Sequence, residues 1–212
     1  MADFIRARTE DQFRIRRDMI LAACEEIYFS GGYVAVTFNT VSAKTSFTRP
    51  ALYNYYKNRD EMLLDLVRKL YSEWRDGLFK LIEENENVDR EGYCTLLSDY
   101  ASENDGIFKL FTDMHLIEEN CELDHLVEAK KDTDEFLTRI TEFTRRTFPK
   151  ASDEQIADYL NNAILIFSAI YPFTHRSQRV VDSNHATIPE VSSVNMREML
   201  YRVLMNATAG LE

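Results

Sequence analysis

Apolar residues along this chain recur at three- and four-residue spacing rather than in alternation, as in Ile20, Ala23, Cys24 and Ile27, and that period belongs to helices. A first helix is expected over residues 11 to 30, stopping at Gly31 and Gly32 because glycine enters a left-handed cap conformation without steric cost. A short second helix runs to Thr45 with Thr37 as its N-cap. A third begins at Thr48, where Pro50 occupies the first turn and Phe47 can staple against Leu52. Asn58-Arg59-Asp60-Glu61 forms an Asn version of the capping box and opens a long fourth helix, whose Met62, Leu63, Leu66, Val67, Leu70, Trp74 and Leu81 make one apolar stripe. Further helices are predicted over 90 to 103, 105 to 118 and 123 to 147, then one opened by Ser152 and Gln155 and one opened by Asn195 and Glu198. Residues 172 to 193 hold Pro172, Pro189 and no helical period, so they read as a long loop. The sum is an all-α fold of about nine helices.

Two short helices separated by about three residues bury little by themselves and need a support helix, here the first. This is the layout of a helix-turn-helix head, in which the helix after the turn enters the major groove and presents its N-terminal residues to base edges. Those residues are Thr48, Arg49, Tyr53 and Asn54. Arg49 can read guanine or hold phosphate, and Asn54 can pair with adenine. Tyr53, Tyr55 and Lys57 can donate to phosphate oxygens, while Thr37 stands where backbone N-H groups can meet another phosphate. The competing reading makes Tyr53, Tyr55 and Tyr56 ordinary core aromatics and Arg49 and Lys57 solvated charges.

A net charge of -11 speaks against nucleic acid until its distribution is considered. Residues 1 to 60 hold nine Lys/Arg and seven Asp/Glu, net 9 - 7 = +2, whereas residues 61 to 212 hold sixteen and twenty-nine, net 16 - 29 = -13. Such asymmetry suits a nucleic-acid-facing head on an acidic body. The longest nearly uncharged apolar stretch, residues 163 to 173, is about half of what a bilayer crossing needs, so no membrane span is expected. Asp3, Glu10 and Asp11 lie among the first arginines and no apolar leader follows, which points to a cytoplasmic protein. Cys24, Cys94 and Cys121 are odd in number and widely spaced, and they read as reduced core thiols.

The segment from residue 16 to 63 resembles, without gaps, the DNA-binding head of the TetR family of transcriptional regulators. The resemblance rests on Ile20-Leu21-Ala22-Ala23, the Gly32-Tyr33 corner, Thr37, Val41, Leu52-Tyr53 and residues 58 to 63. It implies that Thr48, Arg49, Tyr53 and Lys57 occupy positions that commonly contact DNA. The chain departs from the family where Thr45-Ser46-Phe47-Thr48 replaces the usual Ala-Gly-Val-Ser, so Ser46 must accept a turn normally built on glycine. Pro50 and Tyr56 likewise replace commoner Gly and Phe.

The expected domains are a helix-turn-helix unit over 1 to 57 and a helical effector-binding and dimerisation unit over 58 to 212. The resemblance implies a homodimer through the last two long helices, and the residues agree. Ile156, Tyr159, Leu160, Ala163, Ile164, Phe167 and Ile170 form one stripe, and Leu165, Ile166 and Ala169 make the opposite face apolar too. Met199, Leu200, Val203, Leu204 and Ala207 of the final helix complete the expected four-helix interface. A small-molecule effector is expected among Phe108, Phe111, Met114, His115, Phe136, Phe143, Tyr159 and Phe167, although aromatic stripes are also how helices simply pack. Cys121 and His125 stand at i, i+4 but lack a third and fourth ligand, so neither a metal nor a cofactor is expected. The acidic run Glu118, Glu119, Glu122, Asp124 and Glu128 is either a draw for a cationic effector or a solvated face. Residues 170 to 175, IYPFTH, look like a helix-ending segment with no evident chemistry.

The expected partners are a double-stranded DNA operator, an effector and a second copy of the chain, with repression as the family's usual output. A helical carrier or enzyme with a degenerate head is the alternative. No G-x-S-x-G, H-E-x-x-H or phosphate-cradling glycine loop supports an enzyme.

Overall fold

The computed structural model describes residues 10 to 131, 133 to 187 and 194 to 211. Among them the chain forms twelve α-helices and two short 3-10 turns, and they gather into two compact units. The first unit holds the described residues up to Lys69 together with Asp113–Ala129. The second holds Leu70–Thr112 and the described residues from Lys130 onward.

In the first unit, α1 (Glu10–Gly31) buries Ile20, Leu21, Ala23, Cys24, Ile27 and Tyr28 on one face and packs on α2 (Phe38–Lys44), which packs in turn on α3 (Arg49–Leu52). Two adjacent glycines end α1 for different reasons. At Gly31 a Cβ would lie 2.5 Å from that of Ala35, a packing limit, whereas Gly32 has φ 76 and ψ -174, a region essentially reserved for glycine. The stop falls where the sequence puts it, but its conformation is extended rather than left-handed helical. Thr37 caps α2 through a reciprocal box: its hydroxyl accepts from the Thr40 N-H at 3.1 Å, and Thr40 Oγ1 accepts from the Thr37 N-H at 2.9 Å.

The structure departs from the sequence reading at α3. Thr48 stands at the N-cap, yet its side chain makes no cap bond, and helical geometry lasts only four residues. The chain then tightens through i→i+3 bonds from Asn54 N to Ala51 O and from Tyr55 N to Leu52 O. Ser46 carries no strain, since no described residue other than glycine has positive φ. The turn is held instead by Ser42 Oγ donating to Phe47 O at 2.8 Å and Thr45 Oγ1 donating to Val41 O at 2.9 Å.

Asn58 opens α4 (Arg59–Glu84) by accepting from the Asp60 and Glu61 N-H groups, while Glu61 reaches one residue further back to the N-H of Lys57 at 2.7 Å. α4 begins in the first unit and continues into the second. The expected helix over 105 to 118 is two, α6 (Gly106–Thr112) and α7 (Met114–Glu119), because the chain turns at Asp113. That carboxylate is spoken for by Tyr28 Oη at 2.6 Å. The expected helix over 123 to 147 is likewise two, α8 (Leu123–Ala129) and α9 (Thr133–Thr147).

The second unit is built on α5 (Arg90–Glu103), α6, α9, α10 (Asp153–Thr174), α11 (Gln178–Thr187) and α12 (Met196–Thr208), with α5 laid along α12 and α10 against α6, α9 and α12. Tyr93, Phe143, Phe148 and Tyr159 meet at its centre, and the Tyr93 hydroxyl shares a hydrogen bond of 2.9 Å with Thr144. Burial raises the Tyr93 hydroxyl to about 12. The long loop expected over 172 to 193 is corrected over its described part. α10 runs through Pro172 to Thr174 and forgoes only the one backbone bond that residue 172 would donate to the Ser168 carbonyl, and α11 forms with Gln178 donating to Asp182 one turn on. Residues 188 to 193, Pro189 among them, lie outside the described residues. The two splits and α11 raise the expected nine helices to twelve. No described helix is long and apolar enough to cross a membrane.

Candidate nucleic-acid interface

One surface of the first unit gathers most of the side chains chosen from the sequence. Thr37, Phe38, Asn39, Arg49, Tyr53, Lys57, Asn58 and Arg59 line a concavity of about 300 Å³. It is built because the capped start of α2, the start of α3 and the start of α4 converge. Phe38 and Tyr53 seal its floor with ring centroids 4.5 Å apart, leaving Tyr53 half exposed. Thr48 and Arg49 stand exposed at the first turn of α3.

The three tyrosines have three different fates. Tyr53 is exposed beside the cations. Tyr55 lies between Phe13 of α1, stacked at 4.5 Å, and Phe47, edge-on at 6.0 Å. Tyr56 is buried, accepts from Arg17 Nε at 3.2 Å, and has its hydroxyl pushed well above the usual range by desolvation and then by Asp65. Sequence periodicity alone does not separate these roles, because all three fall within one turn.

Asn54 donates from Nδ2 to Ala51 O at 3.1 Å, which ties part of its amide to its own turn. Lys57 forms an ion pair with Glu122, and that hydrogen bond is the main reason its ammonium is raised. Beside this pair runs a second groove of about 700 Å³, bordered by Tyr53, Asn54, Tyr55, Lys57 and the acidic residues Glu61, Glu122, Asp124 and Glu128.

Three buried acids lie behind the surface, and of these the sequence reading gives a role only to Glu61, in the capping box of Asn58. Asp60 accepts from Tyr33 Oη at 2.8 Å, with the Arg59 guanidinium over the same Tyr33 ring at 4.3 Å. Glu61 holds the Lys57 backbone. Asp65 takes Arg17 Nε at 2.7 Å and faces His125 Nε2 at 3.1 Å. His125, considered as a metal-ligand partner of Cys121, is therefore turned to Asp65. The Cys121 thiol is pushed up to about 12 by desolvation and then by Asp60, Glu61 and Asp65.

The residues proposed for an effector fall into separate places. Met114 and exposed His115 belong to the first unit. Phe143 and Tyr159 pack on Tyr93 in the core of the second. Phe108 stacks on Phe167 at 5.4 Å and meets Phe111 and Trp74, whose indole also contacts Tyr100 and Phe136. Among the described residues, the buried Trp74 Nε1 has no hydrogen-bond acceptor within reach. Of the residues named for dimerisation, Leu165 and Ala169 are exposed on α10, with Ile166 half-buried beside them. Met199, Val203 and Ala207 are half-buried on α12, whereas Leu200 and Leu204 are wholly buried within the chain, where Leu204 joins the central core. Ile164, expected on the inward stripe, is about half exposed.

Residues 20–66 match the family described as bacterial regulatory proteins, tetR family, and residues 68–212 match the tetracyclin repressor-like C-terminal domain. A solved structure from Mesorhizobium loti MAFF303099, described as a TetR-family transcriptional regulator, shares this fold with a TM-score of 0.50 at 15% identity, over 96% of this chain and 98% of that one. No curated protein matches the sequence.

Proposed function

Because this chain belongs to the TetR family and is a DNA-binding transcriptional regulator, we propose that it acts as a homodimeric repressor whose operator affinity is set by a small-molecule effector. The observation that carries the DNA reading is the convergence of Thr37, Arg49, Tyr53 and Lys57 on one concavity beside the exposed start of α3. Thr37, Tyr53, Tyr55 and Lys57 grip phosphates; Thr48, Arg49 and Asn54 face base edges. Phe38, Asn39 and Arg59 join them, residues that helix-turn-helix spacing does not point to.

The second copy docks on the outer face of α10 and α12. Leu165, Ile166 and Ala169 meet their counterparts there, flanked by Met199, Val203 and Ala207, while Leu200 and Leu204 support the interface from inside. A two-fold pair of heads then reads a palindrome with half-sites about 34 to 36 Å apart. The effector binds in the second unit near Trp74, Phe108, Phe111 and Phe167, where the buried indole N-H offers a donor in an apolar setting. It acts by favouring one head spacing over another, a population shift that reaches the first unit along α4 and through the chain at residues 112–113 and 129–130. The protein performs no chemistry on its ligand and works in the cytoplasm.

Selection of bound duplexes from a random library tests this, followed by affinity for the selected sequence at two salt concentrations. An enriched inverted repeat with steep salt dependence is expected. A folded protein that enriches no sequence would overturn the reading.

A further inference from the structure

Lys57 lines both concavities of the head, yet its ammonium already has a partner. Glu122, from the segment between α7 and α8, forms an ion pair with it. The Lys57 side chain is 65% exposed and that of Glu122 61%, so this is a solvated pair of the weakly held kind rather than a buried brace. Glu122 nevertheless has its position fixed from both sides. Asn58 Nδ2 donates to the neighbouring Asn120 carbonyl at 2.9 Å. His125, three residues on, rests on buried Asp65 at 3.1 Å. Of the other acids near Lys57, Glu61 spends its carboxylate on the Lys57 backbone N-H at 2.7 Å, and Asp124 acts on the ammonium through its charge without a hydrogen bond, which leaves the direct pairing to Glu122.

A carboxylate paired with Lys57 offers that ammonium the same kind of anionic oxygen that a phosphate would. We propose that Glu122 determines operator affinity by competing with a DNA phosphate for Lys57. The proposal rests on the reading of the first unit as the DNA-binding head. DNA must draw Lys57 from Glu122 and then tolerate the carboxylate left beside it, and both costs vanish when that charge is removed. The pair also stands at a point open to control. Asp113–Ala129 belongs to the first unit but is joined at both ends of its sequence to the second, so any rearrangement there has a covalent path to Glu122.

The test uses the full chain and the selected duplex, with wild type, Glu122→Gln, Lys57→Ala, the double variant and Glu119→Gln measured at low and raised salt. Glu119 is an exposed acid of the same run that forms no pair with Lys57. Glu122→Gln is expected to tighten binding about three- to tenfold at low salt, with the gain shrinking as salt screens the pair. The gain should disappear in the Lys57→Ala background, as a coupling between two residues requires, and Glu119→Gln should change little. An equal gain in the Lys57→Ala background, an equal gain from Glu119→Gln, or no gain overturns the competition. If wild type and every variant bind no duplex while remaining helical by circular dichroism, the DNA-binding reading itself has failed and the competition falls with it.

Discussion

Arg17 Nε in α1 donates to Asp65 Oδ2 in α4 at 2.7 Å, and the other oxygen of the same carboxylate meets His125 of α8 at 3.1 Å. Asp65 is buried, and Arg68 adds a more distant positive charge at 3.7 Å. A buried acid pays a desolvation penalty that only such partners offset, so this carboxylate ties three helices of the head into one body.

Replacing Asp65 with Ala leaves Arg17 without its carboxylate. Removing one partner of a fully buried pair costs about 3–5 kcal/mol. Because the Arg17 side chain is 38% exposed, water recovers part of that and about 2 kcal/mol is expected. Urea denaturation should show a lower midpoint with an unchanged slope, and an unaltered midpoint would remove Asp65 from the structural account.

Lys57 and Arg49 should separate on DNA. Lys57→Ala is expected to weaken binding about equally on all sequences and reduce the salt slope by roughly one, while Arg49→Ala also relaxes sequence preference. Titrations on the selected operator and on a scrambled duplex decide this. Equal, sequence-blind losses in both variants would make Arg49 a phosphate contact only.

The capped helix starts are legible in sequence because capping is local chemistry. Thr37 bonds Thr40, Ser152 bonds Gln155, and Asn195 bonds the N-H of Glu198, each three residues on. What escapes is decided at long range. No pattern near Asp113 announces that it will bond Tyr28, 85 residues earlier, and so break a helix there. Asp65 lies off the apolar stripe of α4, and nothing local announces that Arg17 and His125 will meet it from elsewhere in the chain. α11 is hidden for another reason: Val180, Val181, Asp182, Ser183 and Asn184 are indifferent helix formers, and its helix owes little to local propensity. Within the site, the start of α3 is legible, but its four-residue length is not, nor is the sorting of Tyr53, Tyr55 and Tyr56, since burial depends on Phe38, Phe13 and Arg17 in other elements.

The proposed dimer face can be tested by charge. Leu165 is 68% exposed in the protomer, so Leu165→Asp costs little folding energy but places two carboxylates near the two-fold axis. Light scattering should report a monomer with unchanged helicity and a large loss of operator affinity. Leu204→Asp, by contrast, buries a charge in the core and should unfold the second unit. A Leu165→Asp protein that stays dimeric would move the interface elsewhere.

Trp74 is the single tryptophan of the chain, so its fluorescence reports on the proposed effector region without labelling. Screening small apolar compounds that carry a hydrogen-bond acceptor should find ligands that quench or shift its emission and raise the melting temperature together. Trp74→Phe keeps the ring packing but removes the N-H, and ligand affinity is expected to fall about five- to tenfold for one lost hydrogen bond. Ligands that stabilise the protein with no change in Trp74 emission would place the site elsewhere.

The thiols carry the pH prediction. Desolvation raises Cys24 from its ordinary 9.0 to about 12, with a smaller push from Glu25, and Cys121 is raised as far. The sign follows from the neutral form being favoured in the folded state: the stabilisation is whole below pH 9.0, where unfolded thiols are also neutral, and is lost between there and about 12 as only the unfolded chain ionises. Stability should therefore be insensitive to the cysteines near neutrality and decline in alkali. The same shift leaves little thiolate at pH 8, so a thiol-reactive dye should label Cys24 and Cys121 slowly in the folded protein and all three cysteines at once in denaturant. Rapid labelling of Cys121 in the folded state would mean that its half-buried surroundings open readily, and with them the neighbouring segment that carries Glu122.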